Sequence, residues 1–260
     1  YTSGGVVGKR PNLAGMVYTQ LAKKAFPGVV TVLDGIEASL RRTAHYDYWQ
    51  DKFRPSILAD SKADILVYGM GERAIREIAR RIDGQKPLDS IHGTARLLGG
   101  NESAKLADNF SGQAGSLRYV PQASSLPTEK RSGTDAASTW VLLPSFEECL
   151  ADKKAVLELT RLTEREQNPF TGKPLVQFHG ARAVLIEPPA KPLTTEEMDR
   201  VYELPYMRLP HPSYTEPVPA FTMIKESVTV VRGCGGGCAF CGLGLHQGRF
   251  LTSRSENSVV

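Results

Sequence analysis

Arg232-Gly-Cys234-Gly-Gly-Gly-Cys238-Ala-Phe240-Cys241 gathers three cysteines on one short glycine-rich stretch. The spacing is Cys-x3-Cys-x2-Cys, with an aromatic residue directly before the last cysteine. Three thiolates this close together can each take one iron of a single cubane iron–sulfur cluster, leaving the fourth iron without a protein ligand. Electron-transfer clusters use four cysteines. A three-cysteine site keeps an open coordination position, which a catalytic metal centre needs. The glycines let the backbone wrap closely and bring N–H groups towards sulfur. Arg232 and Arg249 flank the loop and favour anionic thiolates.

Working outward, Ser227-Val-Thr-Val-Val231 is rich in β-branched residues and predicts a strand. Ser253-x-x-Glu256 has the form of a capping box and predicts a helix start. The cysteines are therefore expected on a loop between a strand and a helix. A zinc site of three cysteines and a histidine is the competing reading, with His246 near, although zinc ligands usually come as two spaced pairs and no second pair is present. A disulfide framework does not fit three clustered cysteines. The fourth cysteine, Cys149, falls in a helical pattern and reads as a small buried hydrophobe.

With 260 residues and 41% hydrophobic content, the chain can bury a real core. A net charge of +4 does not indicate nucleic acid, and there is no apolar run of transmembrane length. Free clustered cysteines suit a reducing cytoplasm. The chain begins at Tyr1, and few residues follow the 227–231 strand, whereas a (β/α)8 barrel needs about 200–250. The sequence reads as an excerpt cut at both ends.

Elsewhere strand and helix signals alternate. A helix is predicted over 14–25, ending at Pro27-Gly28. Val29-Val-Thr-Val-Leu33 and Ile65-Leu-Val-Tyr68 are buried-type strands, and a helix from Glu72 to Ile82 places Ala74, Ile75, Ile78 and Ala79 on one face. The alternation predicts a parallel, doubly wound sheet with the two strands as neighbours. Two strands are too few to complete it, so preceding chain is expected. Gly4-Gly-Val-Val-Gly8-Lys9 fails as a phosphate loop, because its spacing is wrong and Arg10 follows the lysine. Periodicity fades from 93 to 138, which reads as surface loop with a short hairpin at 117–120. Ser145-Phe-Glu-Glu148 opens a helix to about Glu166. Leu175-Val-Gln-Phe178 and Ala183-Val-Leu-Ile186 read as paired strands, and Thr194 or Thr195 caps a helix from Glu196 to Tyr202. Clustered prolines then stiffen the approach to the 227–231 strand, which is expected in a separate sheet, its far end turning the Cys234 loop towards a cleft facing the first domain.

The cysteine motif resembles the signature of radical SAM enzymes, with Phe240 in the position of that family's aromatic. Gly35-Ile-Glu37-Ala-Ser-Leu-Arg41-Arg42-x-Ala44-His45-Tyr46-Asp47-Tyr48-Trp49 resembles a hallmark of the YgiQ family within it. So do Tyr68-Gly-Met-Gly-Glu72, Gln177-Phe-His179-Gly180-Ala-Arg182, Pro192-Leu-Thr-Thr-Glu-Glu-Met-Asp199, Leu204-Pro-Tyr206-x-Arg208-x-Pro-His211-Pro212, His246-Gln-Gly-Arg249 and Ser253-Arg-Ser255. The likeness weakens over 99–135, and Gly235 stands where the family has a bulky aromatic. The resemblance implies a [4Fe–4S] cluster on Cys234, Cys238 and Cys241, and S-adenosylmethionine chelating the open iron. Reductive cleavage to a 5′-deoxyadenosyl radical then acts on an unknown substrate, with an electron donor such as flavodoxin or ferredoxin. It implies an α/β fold in three parts. Residues 1–92 would be the back of a Rossmann-like, cobalamin-binding-like domain, 93–219 an irregular connecting region, and 220–260 the first strand–loop–helix of a radical SAM (β/α) barrel. The histidine loop that would hold cobalt is not in this sequence, and the excerpt alone is expected to be inactive.

Phe240 is expected near the adenine, and His246 and Arg249 to contact S-adenosylmethionine or orient the loop; no catalytic residue is assigned. The alternative to a radical SAM segment is a non-catalytic iron–sulfur or zinc protein using the same cysteines. His45, Asp47 and Trp49 face the active site or form a packed corner. His179 and His211 read as structural, and Glu37, Arg41 and Arg42 as a surface ion-pair face.

Overall fold

The computed structural model describes residues 12–111 and 140–260. The glycine loop at 4–9 and the expected hairpin at 117–120 lie outside the described residues. The first helix, α1 (Ala14–Ala25), runs as its pattern predicts and gives way to Pro27-Gly28. Then follow β1 (Val32–Leu33), α2 (Ile36–Leu40), a hairpin of β2 (His45–Asp47) and β3 (Lys52–Arg54), α3 (Ile57–Ser61), β4 (Ile65–Val67) and α4 (Glu72–Asp83). Next come β5 (Thr94–Leu97), α5 (Gly100–Ser111), β6 (Val141–Leu142), α6 (Phe146–Ala151), α7 (Lys153–Arg165), β7 (Leu175–His179), β8 (Arg182–Ile186) and α8 (Thr195–Tyr202). The chain ends with α9 (Pro219–Ile224), β9 (Val231–Arg232), α10 (Leu243–Gln247), β10 (Thr252–Ser253) and α11 (Glu256–Val259).

Six strands form one sheet in the order β1-β4-β5-β8-β7-β6. Alternate residues of each strand face opposite sides, and helices cover both. Leu66, Ala95, Leu175, Val184 and Ile186 pack with residues of α2, α3, α6 and α7. On the other side Ile65 and Val67 meet Ala74 and Ile78 of α4, while Val176, Ala183 and Leu185 meet Leu106 of α5. This is an α/β fold with helices on either face of a central sheet. The stripe that α4 buries is narrower than its periodicity predicts, because Ile75 and Ala79 are exposed.

β1 and β4 are parallel neighbours, in register from Val32 to Ile65. The expected doubly wound parallel sheet is corrected beyond that pair. β5 runs antiparallel to β4 and to β8, β8 antiparallel to β7, and the next parallel pair is β6 with β7. The cause lies after α4. A twelve-residue helix carries the chain about 18 Å back along the sheet. Residues 84–93, with turns at 84–85 and 92–93, bring the chain to the C-terminal end of β4, so β5 enters there and runs antiparallel to it. The entry point is Gly93, at φ +78°, where an added Cβ would sit 3.0 Å from the Ala190 side chain. Its carbonyl accepts from Tyr68 N–H and its N–H donates to the Pro188 carbonyl.

Residues 93–219, expected as an irregular connecting region with helix and short strands, supply β5 to β8 to this sheet, with α5 where surface loop was expected. Strands later in the chain thus extend the sheet that the pattern left at two. The helix expected over 145–166 is two helices. Ser145 forms its capping box with Glu148, but Asp152 is extended (φ −137°) and its side chain caps α7 instead. Thr194 caps α8 through a box with Glu197. The final box is corrected: Ser255, not Ser253, caps the last helix, because Ser253 is spent in β10 pairing with β9. The 227–231 strand shrinks to β9, which lies outside the main sheet as expected. No helix among the described residues is long and apolar enough to cross a membrane.

One buried polar side chain ties the layers together. Gln177 is fully buried on β7; its Oε1 accepts from Ala44 N–H (2.8 Å) and its Nε2 donates to the Pro144 carbonyl (2.9 Å). Gln177→Leu keeps the volume but strands both backbone groups, and stranding each costs about 1–3 kcal/mol. Urea unfolding of this variant should show a loss of about 2–5 kcal/mol on the same scale.

Candidate metal centre

The cysteine loop leaves β9 at Gly233, whose φ of +98° admits no side chain, since a Cβ there would collide with the Phe250 carbonyl. Cys234 N–H donates to the Gly248 carbonyl (2.9 Å), and Cys241 N–H to the Cys238 carbonyl (3.1 Å), closing a tight turn. A Cβ placed on Gly236 would lie 3.6 Å from both the Cys234 and Cys238 sulfurs. Both thiols thus lie within ordinary van der Waals distance of the Gly236 position. All three cysteines are free; Cys234 is half-buried, Cys238 and Cys241 exposed. Phe240 is 93% exposed between them.

No three His, Cys, Asp or Glu side chains among the described residues are close enough to hold one metal ion. Cluster thiolates each bind a different iron, and so stand farther apart than ligands of a single ion. The donor set of three free thiols on one glycine-rich loop fits a cluster, and the loop's chemistry supplies three ligands and no fourth.

Both flanks of the loop are fastened to the sheet domain. Before the cysteines, the Arg232 guanidinium pairs with the Glu72 carboxylate at the start of α4. After them, α10 packs on α2: Leu40 lies 3.1 Å from where a Gly242 Cβ would be. His246 Nδ1 is 2.9 Å from Ser39 Oγ, which also accepts from Gly69 N–H (3.1 Å). Burial holds the His246 imidazole below its usual pKa, with Asp34 opposing and Arg232 reinforcing. The Ser39 hydroxyl, accepting from Gly69, has its own proton free for Nδ1, which is what a neutral imidazole needs. His246 is thus an anchor of the loop. Arg249 is exposed and runs beside Gly244. Between the two parts lies a cleft of about 40 Å³, lined by Tyr68, Gly69, Met70 and Gln167 on one side and His246 and Phe250 on the other. On the loop side, the residues lining it follow the cysteines in sequence rather than include them.

Other expectations sort differently. Glu37 and Arg41 form the expected i,i+4 pair at 3.0 Å. Arg42 does not: it is buried, stacked 4.5 Å over the Tyr68 ring, with burial lowering its pKa. Asp47 is buried and accepts from Trp49 N–H, a packed corner, while Trp49 itself is 80% exposed. His179 stacks on Phe146, and burial pushes its pKa down to about 4. His211 accepts from Ser213 N–H. Ser39, Gly69 and Glu72 were missed as site residues. Each lies in a run that stands out in the sequence, yet nothing in spacing links position 39 to 246 or 72 to 232.

A family model described as "Radical SAM N-terminal" matches residues 1–227. A UPF0313 protein of Geobacter sulfurreducens is 47% identical over all of this chain and 38% of its own length. One from Bradyrhizobium diazoefficiens is 46% identical over all of this chain and 37% of its own. The UPF0313 protein YgiQ of Escherichia coli is 42% identical over all of this chain and 39% of its own. The chain spans well under half the length of the curated relatives it matches. No solved structure gives a significant match.

The exposure pattern makes a direct test. Cys149 lies in the core, and burial pushes its thiol up to about 11, so its thiolate fraction at pH 8 is about one in a thousand. Alkylation of the metal-free protein at pH 8 should label Cys234, Cys238 and Cys241 rapidly and Cys149 only after denaturation, as read by peptide mass spectrometry.

Proposed function

The chain belongs to the YgiQ family of radical SAM proteins, and on that premise we propose that its cysteine loop holds a [4Fe–4S] cluster serving S-adenosylmethionine cleavage in the full-length protein. A cluster bound there would supply the electron for reductive cleavage of S-adenosylmethionine, the chemistry that would generate a hydrogen-abstracting 5′-deoxyadenosyl radical. Cys234, Cys238 and Cys241 hold three irons through their thiolates. The observation that carries the reading is that three free thiols share one short loop while the remaining cysteine, Cys149, is buried in the core.

The remaining residues prepare the place. Phe240, exposed beside Cys241, offers an aromatic face for an adenine. Arg249 is an exposed guanidinium suited to a carboxylate. His246 orients the loop through Ser39. Residues 220–260 open the barrel domain, and residues 12–111 and 140–202 form the α/β domain against which it sits. An electron donor such as flavodoxin or ferredoxin is the implied partner, in a reducing cytoplasm that keeps the thiols free. A structural zinc or electron-transfer centre needs a fourth ligand. Cys149 is in the core, and no three His, Cys, Asp or Glu side chains among the described residues come together as the ligands of one ion.

Anaerobic reconstitution of the full-length protein tests this. Cys234→Ala, Cys238→Ala and Cys241→Ala should each lose the iron, whereas Cys149→Ala should keep it. In the wild type, S-adenosylmethionine should perturb the electron paramagnetic resonance of the reduced cluster. Iron loss in Cys149→Ala, or tightly bound zinc with no such response, overturns the reading.

A further inference from the structure

The cysteines hold themselves in place only weakly. Their backbone hydrogen bonds are to Gly248 and within the 238–241 turn, all inside the same short segment. What fixes that segment to the rest of the molecule are its two ends. Arg232, two residues before Cys234, meets Glu72; His246, five residues after Cys241, meets Ser39. Both fastenings land where β4 runs out. Gly69 lies just past β4 and donates to Ser39, and Glu72 begins α4. The backbone there comes close as well: a Cβ on Gly69 would lie 3.6 Å from the His246 carbonyl oxygen. Each contact spans more than 150 residues of chain.

We propose that Glu72 and Ser39 are positioning residues for the three-cysteine loop, and that Glu72 also sets the loop's charge by neutralising Arg232. The inference rests on the reading of the loop as a cluster site. From the sequence, Arg232 and Arg249 both favour the thiolates. The structure separates them. Arg249 is exposed. Arg232 is three-quarters buried and its charge is balanced by a carboxylate of similar burial, in surroundings where pairing is screened less than at a free surface. Glu72 Oε2 is buried with no hydrogen-bond partner, so Arg232 is the group that stabilises this carboxylate. Asp34, beside Gly71, is the further acid acting on His246 from the sheet side.

Charge near a cluster shifts its reduction potential, because reduction adds a negative charge. Removing Glu72's charge leaves an unbalanced cation two residues from a ligand and favours the reduced state. Removing Arg232's charge leaves an unbalanced anion and disfavours it. Removing both restores balance. Ser39 carries no charge, so its loss should loosen the loop without moving the potential. A role in folding alone gives no such pattern of opposite signs.

The test uses the full-length protein, reconstituted anaerobically, with the midpoint potential read by redox titration followed by electron paramagnetic resonance. Relative to wild type, Glu72→Gln should raise the potential, Arg232→Met should lower it, the double variant should return towards wild type, and Glu72→Asp should stay near it. In the metal-free protein, Ser39→Ala should speed hydrogen exchange across 242–248 while β7 and β8 stay protected, and in the reconstituted protein it should leave the potential unchanged. Shifts of the same sign in Glu72→Gln and Arg232→Met, or none, overturn the charge role. Unchanged exchange in Ser39→Ala overturns the positioning role. If Glu72→Gln fails to fold, seen as exchange throughout β7 and β8, a lowered potential in Arg232→Met that the double variant reverses still supports the inference, and no reversal overturns it. A wild type that takes up no cluster instead overturns the reading of the loop and leaves the metal-free exchange result to decide Ser39's role.

Discussion

β4 has to be dry on both faces. Ile65, Leu66 and Val67 are fully buried, with α4 closing one side and the packed residues of α2, α3, α6 and α7 the other. A strand whose side chains are buried on both faces needs a layer on either side, so the α/β arrangement follows from it. What happens at its C-terminal end follows too. Once the strand stops, the backbone of Tyr68 and Gly69 needs new partners. Gly93 takes the first, and Ser39 the second. The polar groups released where the core ends are the ones to which the cysteine segment is fastened.

The runs that stand out in the sequence are the two sides of these contacts. Ser39 and Ala44, from the run beginning at Gly35, meet His246 and Gln177. Glu72, ending the Tyr68 run, meets Arg232. Asp199, ending the Pro192 run, accepts from Ser255 N–H at 2.9 Å, and Arg254 stacks over Tyr202. Segments far apart in the chain are thus joined pairwise, and the joints run from the sheet to the cysteine segment.

How much of this was legible depends on how local each signal is. α1, β4 and the β7–β8 hairpin were readable because apolar periodicity and turn residues act within a few positions. Ser145 and Thr194 were readable as caps for the same reason. Asp152 was not, because an aspartate between two helical stretches fits a solvated position as well as a break. Ser253 was mistaken for a cap because the competing demand, pairing with Val231, comes from far upstream. The antiparallel order of β5 depends on residues 84–93 running back the length of α4, and nothing in their composition states a direction. Arg42 looked like a surface residue beside Arg41; its stacking on Tyr68 is a tertiary fact. At the candidate site the three cysteines declare themselves by spacing. The residues that hold the loop do not, because a serine and a glutamate have too many ordinary uses for their type to mark them.

The sheet also has a built-in limit. Among the described residues it ends on its two shortest strands, β1 and β6, of two residues each. An open sheet edge is a template on which another molecule can add a strand, and the hazard grows with the length of unpaired ladder it offers. The longer strands lie inside, and each outer edge among the described residues offers a visiting strand a ladder of only two residues.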